Sequence, residues 1–155
     1  MGLVELFERG RVWHNIPGFD AGSAIHNAVA ALRSGTVEVF PEELEQSILE
    51  REQLASTAIG HALAVPHPRT PLEGDPGQAR IALFYPRFPV PWGAADGRPV
   101  RSFFLILSVG SAEHLKNLSG LSKLCTQEEF RALLEREAGL DELVGYVRRA
   151  SAKSR

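Results

Sequence analysis

From Ser23 to Leu32 the apolar positions Ile25, Ala28, Val29 and Leu32 follow helical spacing, which predicts a helix with one buried face and Gly35 as its stop. Pro41, followed by Glu42 and Glu43, reads as the first turn of a second helix; its stripe is Leu44, Ile48 and Leu49, and it runs to about Glu52. Ser56 to Gly60 breaks that period and leads into Ala62–Pro66, a short strand-like run. Pro66 has no N–H to donate to a ladder, so the run ends there or lies on an edge. The segment from Pro68 to Gly77, with three prolines and two glycines, predicts an exposed loop. Two β-branched and aromatic runs, Ala79–Tyr85 and Val100–Val109, predict strands. Between them lies a proline-rich connection, Pro86 to Pro99, in which Asp96-Gly97 signals a turn. The last third is helical. Ser111 is placed to cap a helix carrying Leu115, Leu118, Leu121 or Ser122, and Cys125; Thr126 with Glu129 fits a capping box for a helix using Phe130, Leu133 and Leu134. Gly139 stops that helix, Asp141–Ala150 forms the last one, and the basic tail from Arg148 to Arg155 is expected to fray.

Strands interspersed with helices predict an α/β fold, a single domain over residues 1–155 whose sheet is flanked by α-helices. A connection such as Pro86–Pro99 joins neighbouring strands without a crossover helix, so the sheet is expected to be mixed. The 44% apolar share of the 155 residues suffices for a packed core. With 17 basic against 19 acidic residues the net charge is −2, which lacks the footprint of a general nucleic-acid binder. The lone Cys125 makes no internal disulfide and no Cys-based zinc site. No apolar run approaches the roughly 18–20 residues of a membrane span, and Met1 to Leu6 lacks a basic segment followed by an apolar one. The expected setting is cytoplasmic, with no direct membrane insertion.

The sequence carries no G-x-S-x-G elbow, no phosphate-binding glycine loop and no G-x-G-x-x-G. Histidine remains: His14, His26, His61, His67 and His114. Singly, each is more often a surface or hydrogen-bonded structural residue than a catalyst. Two have better surroundings. His67 follows the strand ending in Pro66 and opens the loosest loop, and function concentrates on loops held by a rigid scaffold. His114 falls in the first turn of a helix, where unpaired N–H groups favour an anion.

The block Arg51-Glu52-Gln53-Leu54-Ala55-Ser56-Thr57-Ala58-Ile59-Gly60-His61-Ala62-Leu63-Ala64-Val65-Pro66-His67 resembles, without a gap, the signature of the mannitol/fructose-type enzyme IIA of the bacterial phosphoenolpyruvate-dependent phosphotransferase system. The nitrogen-type regulatory enzyme IIA shares that signature. Downstream, Trp92 to Val100 is similar to the family's aromatic-turn segment, Phe103–Leu107 to its next core strand, and Glu113-His114-Leu115-Lys116 to its second histidine at a helix start. The resemblance covers about Leu6 to Val147. It implies a mannitol-type enzyme IIA-like sandwich and a phosphotransferase component that works through a phosphohistidine. His67 is then the phosphoryl acceptor, His114 a second active-site imidazole, and Arg51 the cation facing the phosphoryl group, with no cofactor and no metal. His61 and Thr57 are candidate neighbours of the site: in an extended strand, positions 61 and 67 face the same side. The chain departs from the family at Pro68, where glycine is common; proline removes one backbone N–H beside the phosphate.

That chemistry agrees with the residue types. A phosphoryl carrier needs a nucleophile that is neutral near pH 7, and imidazole qualifies. Its loose transition state is served by positioning and fixed positive charge, which an arginine supplies. The favoured reading is a regulatory, nitrogen-type protein phosphorylated by an HPr-like phosphocarrier protein, whose phosphorylation state selects a regulated target. Pro68 and a chain with no attached IIB or IIC segment favour it. The alternative is a sugar-transport enzyme IIA passing phosphate to a IIB domain. A remote third reading has His61, His67 and His114 binding zinc; Arg51 at the site and the lack of a carboxylate near the block argue against it. Ala58, Ile59, Leu63, Pro68 and Trp92 are expected to form an apolar docking rim around His67.

Overall fold

The computed structural model describes residues 2–153. In chain order it forms α1 (Leu3–Gly10), β1 (Val12–Ile16), α2 (Ala21–Gly35), α3 (Leu44–Leu54), β2 (Ala58–Gly60), β3 (Leu63–Ala64), β4 (Arg80–Pro86), β5 (Ser102–Leu107), α4 (Ser111–Cys125), α5 (Glu128–Glu135) and α6 (Leu140–Lys153). The five strands lie in the order β1-β4-β5-β3-β2. β1 runs parallel to β4 and β3 parallel to β5, whereas β4–β5 and β2–β3 are antiparallel. The sheet is therefore mixed, as the short β4–β5 connection requires.

β4 and β5 are apolar along almost their whole length because helices cover both faces. On one face Ala82, Phe84, Phe103, Leu105 and Leu107 pack against Ala24, Ile25, Ala28, Val29 and Leu32 of α2 and Leu44 and Ile48 of α3. On the other, Ile81, Leu83, Tyr85, Phe104 and Ile106 pack against α1, α4, α5 and α6. The alternation of side chains along a strand sorts each run onto the two cores. Phe103 is central to the first, stacked on Phe84 at 5.2 Å and tilted against Trp92 at 5.1 Å. β3 obeys the same parity, with Ala64 on the α2–α3 face and Leu63 and Val65 on the α4 face.

Several local expectations differ from the structure. α1 and β1 are real elements that no periodic pattern had marked. Asp20 caps α2 through a reciprocal pair with Ser23, whereas Pro41 to Glu43 form a turn ahead of α3 rather than its first turn. Ser111 is inside α4, whose cap is Gly110 at φ +91, and Leu115 is exposed instead of lying in the buried stripe. The capping box at Thr126 is absent: the Thr126 hydroxyl donates to the Lys123 carbonyl, and Gln127 is the cap of α5, with no side-chain capping bond to the helix. The front of the Pro68–Gly77 loop is tied down, because Leu72 is buried and bridges to Val109. Residues 148–153 of the basic tail continue α6, and Ser154 and Arg155 lie outside the described residues.

Candidate functional site

His67 lies two residues beyond Val65, past the C-terminal end of β3, where the backbone is gripped on both sides. Upstream, the Pro66 carbonyl accepts the Ile106 N–H at 3.1 Å; downstream, the Arg69 N–H donates to both the carbonyl and the hydroxyl of Ser47 on α3, each at 3.0 Å. Between these anchors Pro66 and Pro68 fix φ, so the histidine backbone has little freedom. The parity of Leu63 and Val65 carries on to His67 and turns it toward α4. There His114 waits one turn into the helix, with ring centroids 4.6 Å apart and planes inclined by 48°.

The His67 side chain is only 7% exposed. Its Nδ1 lies 2.8 Å from the Val65 carbonyl oxygen. A carbonyl only accepts, so Nδ1 carries the hydrogen and Nε2 is the nitrogen with a free lone pair in the neutral ring. Burial is the main cause that pushes the His67 pKa below 6.5; the Val65 hydrogen bond opposes it and the Arg51 guanidinium adds to it. His114 is shifted down as well, by burial first, then by His67 and Arg51. Both rings are therefore neutral at pH 7. Arg51, in the last turn of α3, is held by a 2.8 Å bond from Nη1 to the Ala55 carbonyl.

Thr57 is buried and belongs to the support of the site. Its N–H and hydroxyl both donate to the Glu52 carboxylate, at 2.7 and 2.6 Å, and its carbonyl accepts the Val65 N–H at 3.0 Å. A continuous chain thus runs from α3 through Glu52, Thr57 and Val65 to the His67 ring. The sequence reading named Thr57 but not Glu52, although a carboxylate placed just ahead of a Ser-Thr pair was a readable signal for such a clamp. A second unread pair braces α4, where Asn117 donates to Ser108 at 3.0 Å, both buried.

His61 is not in an extended strand. It and Ala62 form the turn between β2 and β3 with φ +55 and +62, so the parity relation with His67 does not hold there. His61 is exposed, its N–H donates to Asp96, and it lines a shallow groove with Ser122 and Arg131. Among the described residues, no group of three or more His, Cys, Asp or Glu side chains is gathered to hold a metal ion. The apolar rim also differs from expectation. Leu63, Pro68 and Trp92 are buried, while Leu54, Ile59 and Leu115 are exposed. Leu54 follows Arg51 by three residues and Leu115 adjoins His114, so apolar surface accompanies both.

Residues 5–149 match the family described as phosphoenolpyruvate-dependent sugar phosphotransferase system, EIIA 2. The chain is similar to the fructose-specific EIIABC component of Bacillus subtilis, 31% identical over 141 residues, covering 89% of this chain and 22% of that protein. It is also 26% identical over 131 residues to a nitrogen regulatory protein of Pseudomonas aeruginosa, covering 83% of each. The chain thus spans about a fifth of the Bacillus protein and most of the Pseudomonas one. In fold it resembles the crystal structure of the nitrogen regulatory protein IIA-Ntr from Neisseria meningitidis, with a TM-score of 0.74 and 24% identity over 93% of this chain and 97% of that one. None of the described helices is long and apolar enough to cross a membrane.

Proposed function

The chain belongs to the EIIA 2 family of the phosphoenolpyruvate-dependent sugar phosphotransferase system, and on that premise we propose that it accepts a phosphoryl group on Nε2 of His67 from an HPr-like phosphocarrier protein, in a regulatory role in the cytoplasm. The observation that carries this reading is the His67 tautomer: the Val65 carbonyl holds the proton on Nδ1 and leaves Nε2 as the nucleophile, beside His114 and under the field of Arg51. The Nε2 lone pair attacks phosphorus, a new N–P bond forms, and the donor's own N–P bond breaks with its electron pair returning to the donor imidazole. The His67 ring then bears positive charge, which strengthens its Nδ1–H bond to the Val65 carbonyl. Arg51 and His114 offer positive charge and an N–H to the equatorial oxygens, where charge accumulates. Thr57 and Glu52 hold the strand that supplies the carbonyl. The His61 backbone N–H, donated to Asp96, helps to hold the hairpin turn.

The regulatory assignment draws on the likeness to a nitrogen regulatory protein along most of both chains and on the missing N–H at Pro68. The transport reading has its own support in the 31% identity to a fructose-specific component, and under it a IIB domain receives the phosphate. We treat residues 1–155 as one enzyme IIA unit in either case. Incubation with phosphoenolpyruvate, enzyme I and candidate carriers, followed by intact mass, is expected to give one acid-labile, alkali-stable adduct that His67→Ala abolishes. Robust labelling of His67→Ala sinks the assignment. Efficient transfer to a sugar-specific IIB domain, with identical pull-down profiles for wild type, His67→Ala and His67→Asp, decides for transport.

A further inference from the structure

A groove of about 440 Å³ away from the histidine pair is lined by three arginines, Arg9 at the end of α1, Arg11 just before β1 and Arg80 at the start of β4. Arg80 is only 4% exposed. It donates to the carbonyls of Gln78 and Gly77, at 3.1 and 2.9 Å, and its guanidinium lies 5.0 Å above the Phe40 ring. Arg9 donates to the Pro76 carbonyl and Arg11 to that of Gly35, so backbone carbonyls orient all three heads. Neutral carbonyls orient these groups without neutralising them. Among the described residues, no carboxylate stands within ion-pair distance of any of the three. Glu38, also in the wall, is the acidic residue whose field reaches Arg80, against those of Arg9 and Arg11. Three positive charges against one negative leave an excess that a dianion would match, and a buried guanidinium ordinarily has an anionic partner.

A second observation points the same way. Thr36 lines this groove, and its hydroxyl is buried without a hydrogen-bond partner among the described residues; buried hydroxyls are rarely left so. The groove is open to solvent and has more room than a single phosphoryl group occupies. Val37, 98% exposed on the rim, offers apolar contact to whatever the anion is attached to. We infer that Arg9, Arg11, Arg80 and Thr36 form a binding site for a small phosphomonoester, distinct from the His67 site and independent of phosphoryl transfer there. Arginine favours such groups because its planar fork matches two phosphate oxygens at once.

The site lies toward the same end of the sheet as His67: Arg80 pairs with Leu107, and Pro66 bonds to the neighbouring Ile106. The test must therefore separate the two. The full chain labelled with ¹⁵N is titrated with glucose 6-phosphate, inorganic phosphate and glucose at about 0.15 M salt, where surface charge is largely screened. The expected result is saturable shifts at the amides of Gly35, Thr36, Val37 and Glu38 with glucose 6-phosphate, weaker binding of inorganic phosphate, and none of glucose. Val37→Glu puts a negative charge on an exposed rim position without touching the core; it is expected to weaken binding by about tenfold or more, whereas Val37→Gln, which loses the apolar contact but adds no charge, weakens it by only about twofold, and His67→Ala leaves it unchanged. Shifts confined to His67 and His114, no saturation, or equal affinity in Val37→Glu and Val37→Gln overturns the site. Inorganic phosphate binding as tightly as the ester overturns the assignment of an organic phosphate.

Discussion

The Val65 carbonyl can only accept, so a single 2.8 Å contact settles which nitrogen of His67 is available, and the burial of the ring keeps it unprotonated. The pKa values of both histidines lie below 6.5, with Arg51 among the causes for each. Between 6.5 and those lower values the unfolded chain binds more protons than the folded one, so stability rises with pH across that window. The contribution is complete above about 6.5 and is lost progressively as pH falls toward the folded-state values. Arg51→Gln is expected to raise both pKa values, read from the ring proton shifts of His67 and His114. It should also move the acid limb of phosphoryl acceptance to higher pH and slow the transfer by roughly 10²–10³-fold, the usual loss for one transition-state donor. Unmoved titrations with wild-type transfer would make Arg51 an ordinary helix-surface residue.

The β2–β3 hairpin turns on two residues, His61 and Ala62, that both hold φ near +60 without being glycine or asparagine. Such a turn matches the right-handed twist of paired strands, but each side chain with a Cβ is strained there by about 1–2 kcal/mol. What keeps the turn in place is its surroundings: the His61 N–H donates to Asp96, and the Ala62 carbonyl accepts from Arg101 and Ser102 at the start of β5. His61→Gly is expected to stabilise the protein by up to about 1 kcal/mol, the relief of strain being partly offset by the greater freedom of glycine in the unfolded chain. Phosphoryl acceptance should not change. Chemical denaturation together with the labelling assay checks both halves, and a loss of acceptance would bring the His61 ring back into the site.

Across the whole molecule the sheet separates two cores, and the second encloses Cys125 between α4 and its neighbours. Burial pushes that thiol up to about 12, so at neutral pH it is a small apolar side chain and not a nucleophile. The native protein is expected to leave Cys125 unmodified by a thiol-specific disulfide reagent at pH 8, and to react only on adding denaturant. Labelling at the rate of a free small-molecule thiol would contradict the packing of α4, α5 and α6 on this face.

Much of this protein was legible in order along the chain. The helical period from Ser23, the two apolar runs around Tyr85 and Phe104, and the block from Arg51 to His67 are local patterns, and local sterics and side-chain alternation are enough to express them. α1 and β1 escaped because a short helix and a half-exposed strand carry too few repeats to mark a period, and their stability comes from packing on β4. The turn at His61 escaped because no local preference favours it; hydrogen bonds from residues about 35–40 positions away select it. The same holds for the sites. Residue types and spacing singled out His67, His114 and Arg51, but only tertiary structure set two rings 4.6 Å apart, turned Nε2 free, tied Glu52 to Thr57, and gathered Arg9, Arg11 and Arg80 around one groove. Sequence can name a reactive group, whereas its tautomer, its charge state and its neighbours depend on burial and on contacts between segments far apart in the chain.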